Sequence, residues 1–399
     1  MIKRYRDQRI FQLTTDQMRF NAYHEVLNTV AQIRELEGIV PPGTYAAIHS
    51  ADLPHPATVQ AREKQVRHDV AAFIDCYTWE VEKRSPEAAR YLYWGLTSSD
   101  LVDTANSLLM RSAWERIHAL AWTLASASRG QEEAKRIGRT HGQRAYETSV
   151  WDAHHRLGMG LLELLALRTP RFMGKMSGPT GQNNYPMTIS VEHRVMAVLK
   201  LIVDTEASQI TSRLWYADLG FTCVQLVSAC EQFALQIRLR AQDGIAELQE
   251  DFSRHQKGSS SMPHKRNPIT AERICGLARV ARGLFMPLME THGAMWDQRD
   301  ISNSSVERVA LWDLLELTAY VLSLTYALMG NLLMWPDPEV ETWVSSADEL
   351  NRMIGEGIDR DTAYGRLRGE DSGPAGVAQA TGGVYRGSDP KGPDRGSDG

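Results

Sequence analysis

The residues best suited to chemistry are concentrated in one thirteen-residue string, Gln256–Pro268 (QKGSSSMPHKRNP). A glycine beside three serines makes a segment whose backbone can approach a ligand closely. Ser259 could act as a base if a cationic neighbour and backbone donors drew off its hydroxyl proton. Lys265 and Asn267 follow at a spacing that could hold a carboxylate. For Gly-Ser-Ser alone, the plain alternative is a solvated linker ahead of a helix. A second polar stretch, Gly138–Thr148 (GRTHGQRAYET), carries His141. Taken alone, His141 reads equally as an ordinary surface-loop histidine.

These residues need a scaffold, and helical periodicity dominates the chain. Val224, Val227, Cys230, Phe233 and Ile237 step by three or four, as do Leu109, Ala113, Ile117, Leu120 and Leu124. Each set makes one apolar stripe of a helix. The stripes suit either packing between subunits or the core of a monomer. Residues 151–168 read as helical, and 306–334 as a long, mostly apolar helix, while strand alternation is rare. The expected fold is all-α, a bundle of long helices with smaller N- and C-terminal helical domains. Four polar stretches interrupt it: 95–100 (GLTSSD), 138–148, 175–186 (KMSGPTGQNNYP) and 256–268. The expected division is an N-terminal helical domain over 1–106, a central bundle over 107–336 and a shortened C-terminal helical domain over 337–368. Residues 369–399 repeat RGSDP and RGSDG, a Gly/Ser/Asp-rich composition that cannot bury a core and is expected to be disordered.

Bulk properties narrow the class. The chain has 399 residues, too many for one ordinary domain, and its 43% hydrophobic and 23% charged residues are normal for a soluble globular protein. A net charge of -5 argues against a general nucleic-acid or membrane-surface binder. Cys76, Cys223, Cys230 and Cys275 form no CxxC pair and read as buried thiols of a reducing compartment. The N-terminus shows no apolar signal segment, and no run reads as long and apolar enough to span a bilayer, so a cytoplasmic protein is expected. His154 and His155 are adjacent on a helix, where side chains diverge. With no HExxH, GxxxxGK or GxGxxG string present, neither a metal nor a dinucleotide cofactor is expected.

The Gln256–Pro268 string resembles the signature GSSxMPxKxNP of the fumarase/aspartase superfamily. Gly258, Ser259, Ser260, Met262, Pro263, Lys265, Asn267 and Pro268 all match. Its PHKRNP wording is similar to the adenylosuccinate lyase family within that superfamily, as are GLTSSDLVDTA at 95–105 and GRTHG at 138–142. The resemblance implies a carbon–nitrogen lyase that eliminates fumarate from an N-succinyl purine nucleotide in purine biosynthesis. It makes Ser259 the catalytic base and Lys265 a stabiliser of the aci-carboxylate that forms. His141 becomes the general acid, Glu272 its carboxylate partner, and His68 (in RHDVAAF, 67–73) a second active-site histidine. Thr97, Ser98 and Asn267 would hold succinyl carboxylates. Arg67, Asp69, Thr140, Met262 and Gln209 would be further substrate contacts. QRDISNSSVER at 298–308 resembles ERDxSxSSxER, so Arg299, Ser304 and Arg308, with Arg4 and Tyr5, would bind a 5′-phosphate. The plainer, less favoured alternatives are helix-surface ion pairs for Arg299 and Arg308 and a capping or structural role for His68. The resemblance further implies a homotetramer with sites shared between subunits.

The chain departs from the family wording at three places: Gln143, Arg144, Tyr146 and Glu147 after THG, QNNYP at 182–186, and Gln298 in place of Glu. The family's third domain also runs well past the point where this chain turns into its Gly/Ser/Asp-rich tail. Two alternatives stay open on the sequence: a paralogue acting on another succinyl compound such as nitrosuccinate, and an inactive structural homologue.

Overall fold

The computed structural model describes residues 1–128, 134–252, 261–262 and 264–369. The main elements are α1 (Asp16–Leu36), α2 (Pro56–Val66), α3 (Asp69–Glu82) and α4 (Ser98–Ala127), then a hairpin of β1 (Lys135–Thr140) and β2 (Gln143–Ser149). There follow α5 (Asp152–Leu167), α6 (Ile189–Leu199), α7 (Leu214–Arg240), α8 (Ile269–Ala294), α9 (Trp312–Gly330), α10 (Ser346–Gly355) and α11 (Arg360–Arg368). The all-α expectation is met: the sheets among the described residues are three two-stranded pairs. Two compact units result: among the described residues, one comprises 1–128 with 153–333 and the other 134–152 with 334–369.

In the first unit, α4, α7, α8 and α9 form the bundle. The two apolar stripes turn inward within the chain itself. Ala113, Ile117, Leu124, Val227, Cys230, Phe233 and Ile237 are buried, with Leu120 and Val224 half-buried. Gly220 marks a close approach between helices. A Cβ there would lie 3.1 Å from Phe285, 3.2 Å from Leu288 and 3.5 Å from Leu314, so α7 needs a residue without a side chain to sit against α8 and α9. A second layer, α1 and α3, is closed by aromatic packing: Phe73 stands 4.9 Å from Phe20, 5.2 Å from Tyr23 and 5.6 Å from Tyr77 between ring centroids.

One sequence expectation needs correcting here. The continuous helical stretch Ser302–Gly330 is, by length and composition, apolar enough to cross a membrane. Its most apolar window is 61% buried in the bundle, and Leu314, Leu315, Leu317, Val321 and Leu322 are fully covered. Its hydrophobicity is that of a helix surrounded by other helices. Within this stretch, Glu307–Leu311 forms a π-helical turn.

In the second unit, the stretch 138–148 is a β-hairpin rather than an irregular loop. Arg139 pairs with Arg144 and Thr140 with Gln143, leaving His141 and Gly142 as the two-residue turn. Both have positive φ, 52° and 80°, as a type I′ turn demands. The alternation was not legible because both faces of the strands carry polar residues. Helices α10 and α11 complete this unit, each started by a side-chain cap, Ser345 and Asp359 respectively.

Candidate active site

A cavity of about 640 Å³ opens in the first unit. Its walls include residues of three stretches the sequence singled out, 67–70, 98–103 and 299–308, together with Met1, Arg6, Phe11 and Thr14 near the N-terminus and Trp312, Asp313 and Glu316 of the bundle. His68 caps α3 by accepting the Ala71 N–H at 3.3 Å, and its Nδ1 lies 3.6 Å from Asp69 Oδ1. Asp69 in turn accepts from Arg308 Nη2 at 2.7 Å. Arg299 Nη1 donates to Ser99 Oγ and to Gln209 Oε1, both at 3.3 Å. Seven expected residues therefore line one cavity, namely Arg67, His68, Asp69, Ser98, Arg299, Ser304 and Arg308, and Gln209 joins them through Arg299.

The cavity floor is a buried ionic network whose partners are far apart in sequence. Arg213 donates Nη1 and Nη2 to the two Asp103 oxygens at 2.8 and 3.1 Å, and Nε to Glu307 at 2.6 Å. The Thr211 N–H adds a bond to Asp103 at 2.8 Å, and the Asn303 amide one to Glu307 at 2.8 Å. Burial raises the Asp103 carboxyl, but the Arg213 guanidinium outweighs it and holds the group below its ordinary value. For Glu307 burial wins over Arg213, and its pKa is raised. This network locks the starts of α4 and α7 to the π-helical turn, so it sets where Arg299, Ser304 and Arg308 stand.

The succinyl-binding candidates Thr97 and Ser98 rest on a second buried pair. Asp100 accepts from the Thr97 N–H at 2.8 Å, from Lys175 Nζ at 2.5 Å and from the Gly178 N–H at 3.2 Å. Lys175 also donates to the Gly178 carbonyl at 2.9 Å, and both charged side chains are fully buried. The pair ties the 95–100 loop to the 175–186 stretch. Gly95, with φ +74°, permits the contact: a Cβ there would lie 2.5 Å from the Pro186 ring.

Asp100, Asp103, Lys175, Arg213 and Glu307 went unread in the sequence. Their one signal was charge within apolar surroundings: Asp100 and Asp103 are one turn apart beside the buried Leu101 and Ala105.

The remaining expected residues lie elsewhere. Arg4 is exposed and Tyr5 packs on Tyr320 at 5.6 Å, ring to ring. Thr97 caps α4 outside the cavity lining. Met262 and Lys265 are exposed, Asn267 is half-buried, and Glu272 stands in the first turn of α8. Glu272 lines a smaller cavity, about 270 Å³, with Leu235, Arg238, Leu239, Gln242 and Pro268. Since α8 is a single helix, Glu272 and Ala294 are twenty-two residues apart, ~33 Å at ~1.5 Å per residue. Within one chain, the signature end of α8 and the arginine cavity at its other end are therefore not brought together. Thr140 and His141 are exposed at the hairpin tip of the second unit. Ser259 lies outside the described residues. No group of three or more His, Cys, Asp or Glu among the described residues could hold a metal ion.

A family model described as lyase matches residues 57–283. The chain belongs to this lyase family, the fumarase/aspartase superfamily. Among curated relatives, it is 32% identical to "Adenylosuccinate lyase" of a Synechocystis species, across 92% of this chain and 88% of that protein. It is 36% identical to the same-named protein of Aquifex aeolicus, across 77% and 72%. In structure it resembles the 3-carboxy-cis,cis-muconate lactonizing enzyme of Pseudomonas putida, with TM-score 0.75 and 22% identity over 92% of this chain and 85% of that one. It also resembles a fumarate lyase of a Mesorhizobium species, with TM-score 0.73 and 19% identity over 91% and 85%. These likenesses carry the fold.

Proposed function

We propose that the protein eliminates fumarate from adenylosuccinate, leaving AMP, and from the succinyl-aminoimidazole carboxamide ribotide of purine biosynthesis. The observation that carries this reading is the cavity into which Arg299, Arg308 and Ser304 converge. Two guanidinium forks and a hydroxyl suit a phosphate dianion, which a simple dicarboxylate such as malate or aspartate lacks. The full-length relatives named adenylosuccinate lyase support the same choice.

The reaction is an anti β-elimination. Ser259, as alkoxide, removes the proton from the succinyl carbon beside the carboxylate. Lys265, Asn267, Thr97 and Ser98 bind the carboxylates, one of which takes up negative charge as the carbanion forms. His141, paired with Glu272, gives a proton to the departing nitrogen, and the C–N electron pair leaves with it. His68 and Asp69 orient the nucleotide side of the cavity.

Assembly follows from the separation along α8. A site needing both ends of that helix requires more than one chain, and a homotetramer with shared sites supplies them. Outward-facing Leu235, Leu239, Val280, Met286 and Met289 on α7 and α8 support such an association. Four buried free thiols support a reducing, cytoplasmic setting.

The test is fumarate release from the purified chain given adenylosuccinate, with Ser259→Ala as control. Release that disappears in the variant supports both the substrate and the base. A folded tetramer that releases none, or a Ser259→Ala variant with near-normal turnover, would overturn the reading.

A further inference from the structure

We propose that Arg144 is a positioning residue for the proton-donating step, fixing the hairpin tip that carries His141 against the segment Asp337–Trp343. The inference rests on the reading of His141 as general acid. Arg144 occupies β2, two residues beyond the His141–Gly142 turn, in the stretch where the chain departs from the family wording. Its guanidinium is fully engaged with that segment. Nη2 reaches Asp337 Oδ2 at 3.2 Å and Oδ1 at 3.5 Å, Nη1 is bonded to Glu339, and the guanidinium carbon stands 5.0 Å from the centre of the Trp343 ring.

Neighbouring bonds make this a clamp rather than a single ion pair. Trp343 Nε1 donates to the Ala145 carbonyl at 2.8 Å, and the Asp337 N–H donates to the Lys135 carbonyl at 3.3 Å. Both strands of the hairpin are thus tied to 337–343. Toward its base the ribbon buries Ile137 and Arg136, whereas toward the turn it is polar and a two-stranded ribbon has little to hold it by itself. Its ladder is already interrupted by a register shift between Ile137 and Arg139. Of the contacts just described with 337–343, those of Arg144 are nearest the tip, and Thr140, His141, Gly142 and Gln143 beyond it are all exposed. Arginine suits the place because a planar fork can meet two carboxylates and stack on an indole at once, which lysine cannot do. The segment after the bundle thereby acquires a task in the reaction, delivered through the hairpin.

The experiment compares kcat and KM for adenylosuccinate in the full chain, in Arg144→Met, in Arg144→Lys and in Trp343→Phe, each scaled to folded tetramer. A displacement of about 1 Å can cost on the order of 100-fold in rate. The expected result is a kcat lowered about 10- to 100-fold in Arg144→Met. KM should change less than about 2-fold, because the nucleotide is gripped elsewhere. Arg144→Lys should recover part of kcat, and Trp343→Phe should lose less than Arg144→Met. A folded Arg144→Met variant with wild-type kcat would overturn the proposal. So would a loss explained wholly by a lower thermal midpoint and less folded tetramer, which marks a purely structural role. His141→Gln separates the two layers: normal turnover there removes the general-acid reading itself, whereas a dead His141→Gln beside a normal Arg144→Met removes only the clamp.

Discussion

Asp103 and Glu307 share one guanidinium yet answer burial oppositely. Asp103 is held below its ordinary pKa despite burial, by two Arg213 bonds and the Thr211 amide. Glu307 is raised, because burial outweighs Arg213 there. A depressed carboxyl stabilises the fold above its unfolded pKa, about 3.9, and that contribution fades as pH falls through the folded value. Asp103→Asn should therefore cost about 3–5 kcal/mol near neutral pH, the order expected when a buried pair is broken. Glu307→Gln should cost less than about 2 kcal/mol. Thermal midpoints at pH 7 check the ranking, and an equal loss in the two variants would contradict the assignment. The acid-side fall in midpoint should also be shallower in Asp103→Asn than in the wild type.

Arg308 belongs to the same scale. Its guanidinium donates to Asp69 at 2.7 Å, so in the proposed reading the substrate phosphate competes with a carboxylate for it. Replacing it with Met should raise KM for adenylosuccinate about 10- to 100-fold, the worth of one charged hydrogen bond, about 1.5–3 kcal/mol. Turnover at saturation should change little. A variant whose KM stays unchanged would remove Arg308 from the phosphate site.

At the scale of elements, the bundle depends on Gly220. The nearest atoms to a Cβ there are Phe285 and Leu288 of α8 and Leu314 of α9, so the helices close on one another through that gap. Gly220→Val should destabilise by about 1–3 kcal/mol through overpacking. A thermal midpoint equal to the wild type would show that the crossing can relax. The hairpin is the element the sequence concealed. Lys135–Thr140 and Gln143–Ser149 bear Arg, Lys, Gln, Glu and Thr on both faces, so no apolar alternation announces a strand. The turn uses His-Gly in place of the usual Asn-Gly signal. By contrast, α4 and α7 were legible because their apolar residues recur at helical spacing along a buried stripe, and α9 because it is mostly apolar throughout.

At the scale of the molecule, the proposed shared site rests on the length of α8. If Glu272 and the signature residues serve one end while Arg299 and Arg308 serve the other, two defective chains should repair each other. Mixing Ser259→Ala with Arg308→Met subunits, after dissociation and reassembly, should regain fumarate release that neither shows under conditions limiting for Arg308→Met. Each parent reassembled alone is the control. No recovery from a mixed tetramer would place every needed residue in one chain.

The amino-acid sequence by itself determined the helical fold and the family, and it marked the polar stretches to which the chemistry is assigned in the proposed function. Those are local properties, set by spacing along a helix and by side-chain type. It also marked seven residues of the cavity, because Arg67–Asp69, Ser98 and Arg299–Arg308 sit in motifs readable within a few residues of one another. Only the tertiary structure decided what lies beneath them. Asp103 finds Arg213, and Arg213 finds Glu307, across 110 and 94 positions. Asp100 finds Lys175 across 75. No periodicity encodes such pairings; they form because folding brings helix ends together in a place without water, where a charge must find its opposite.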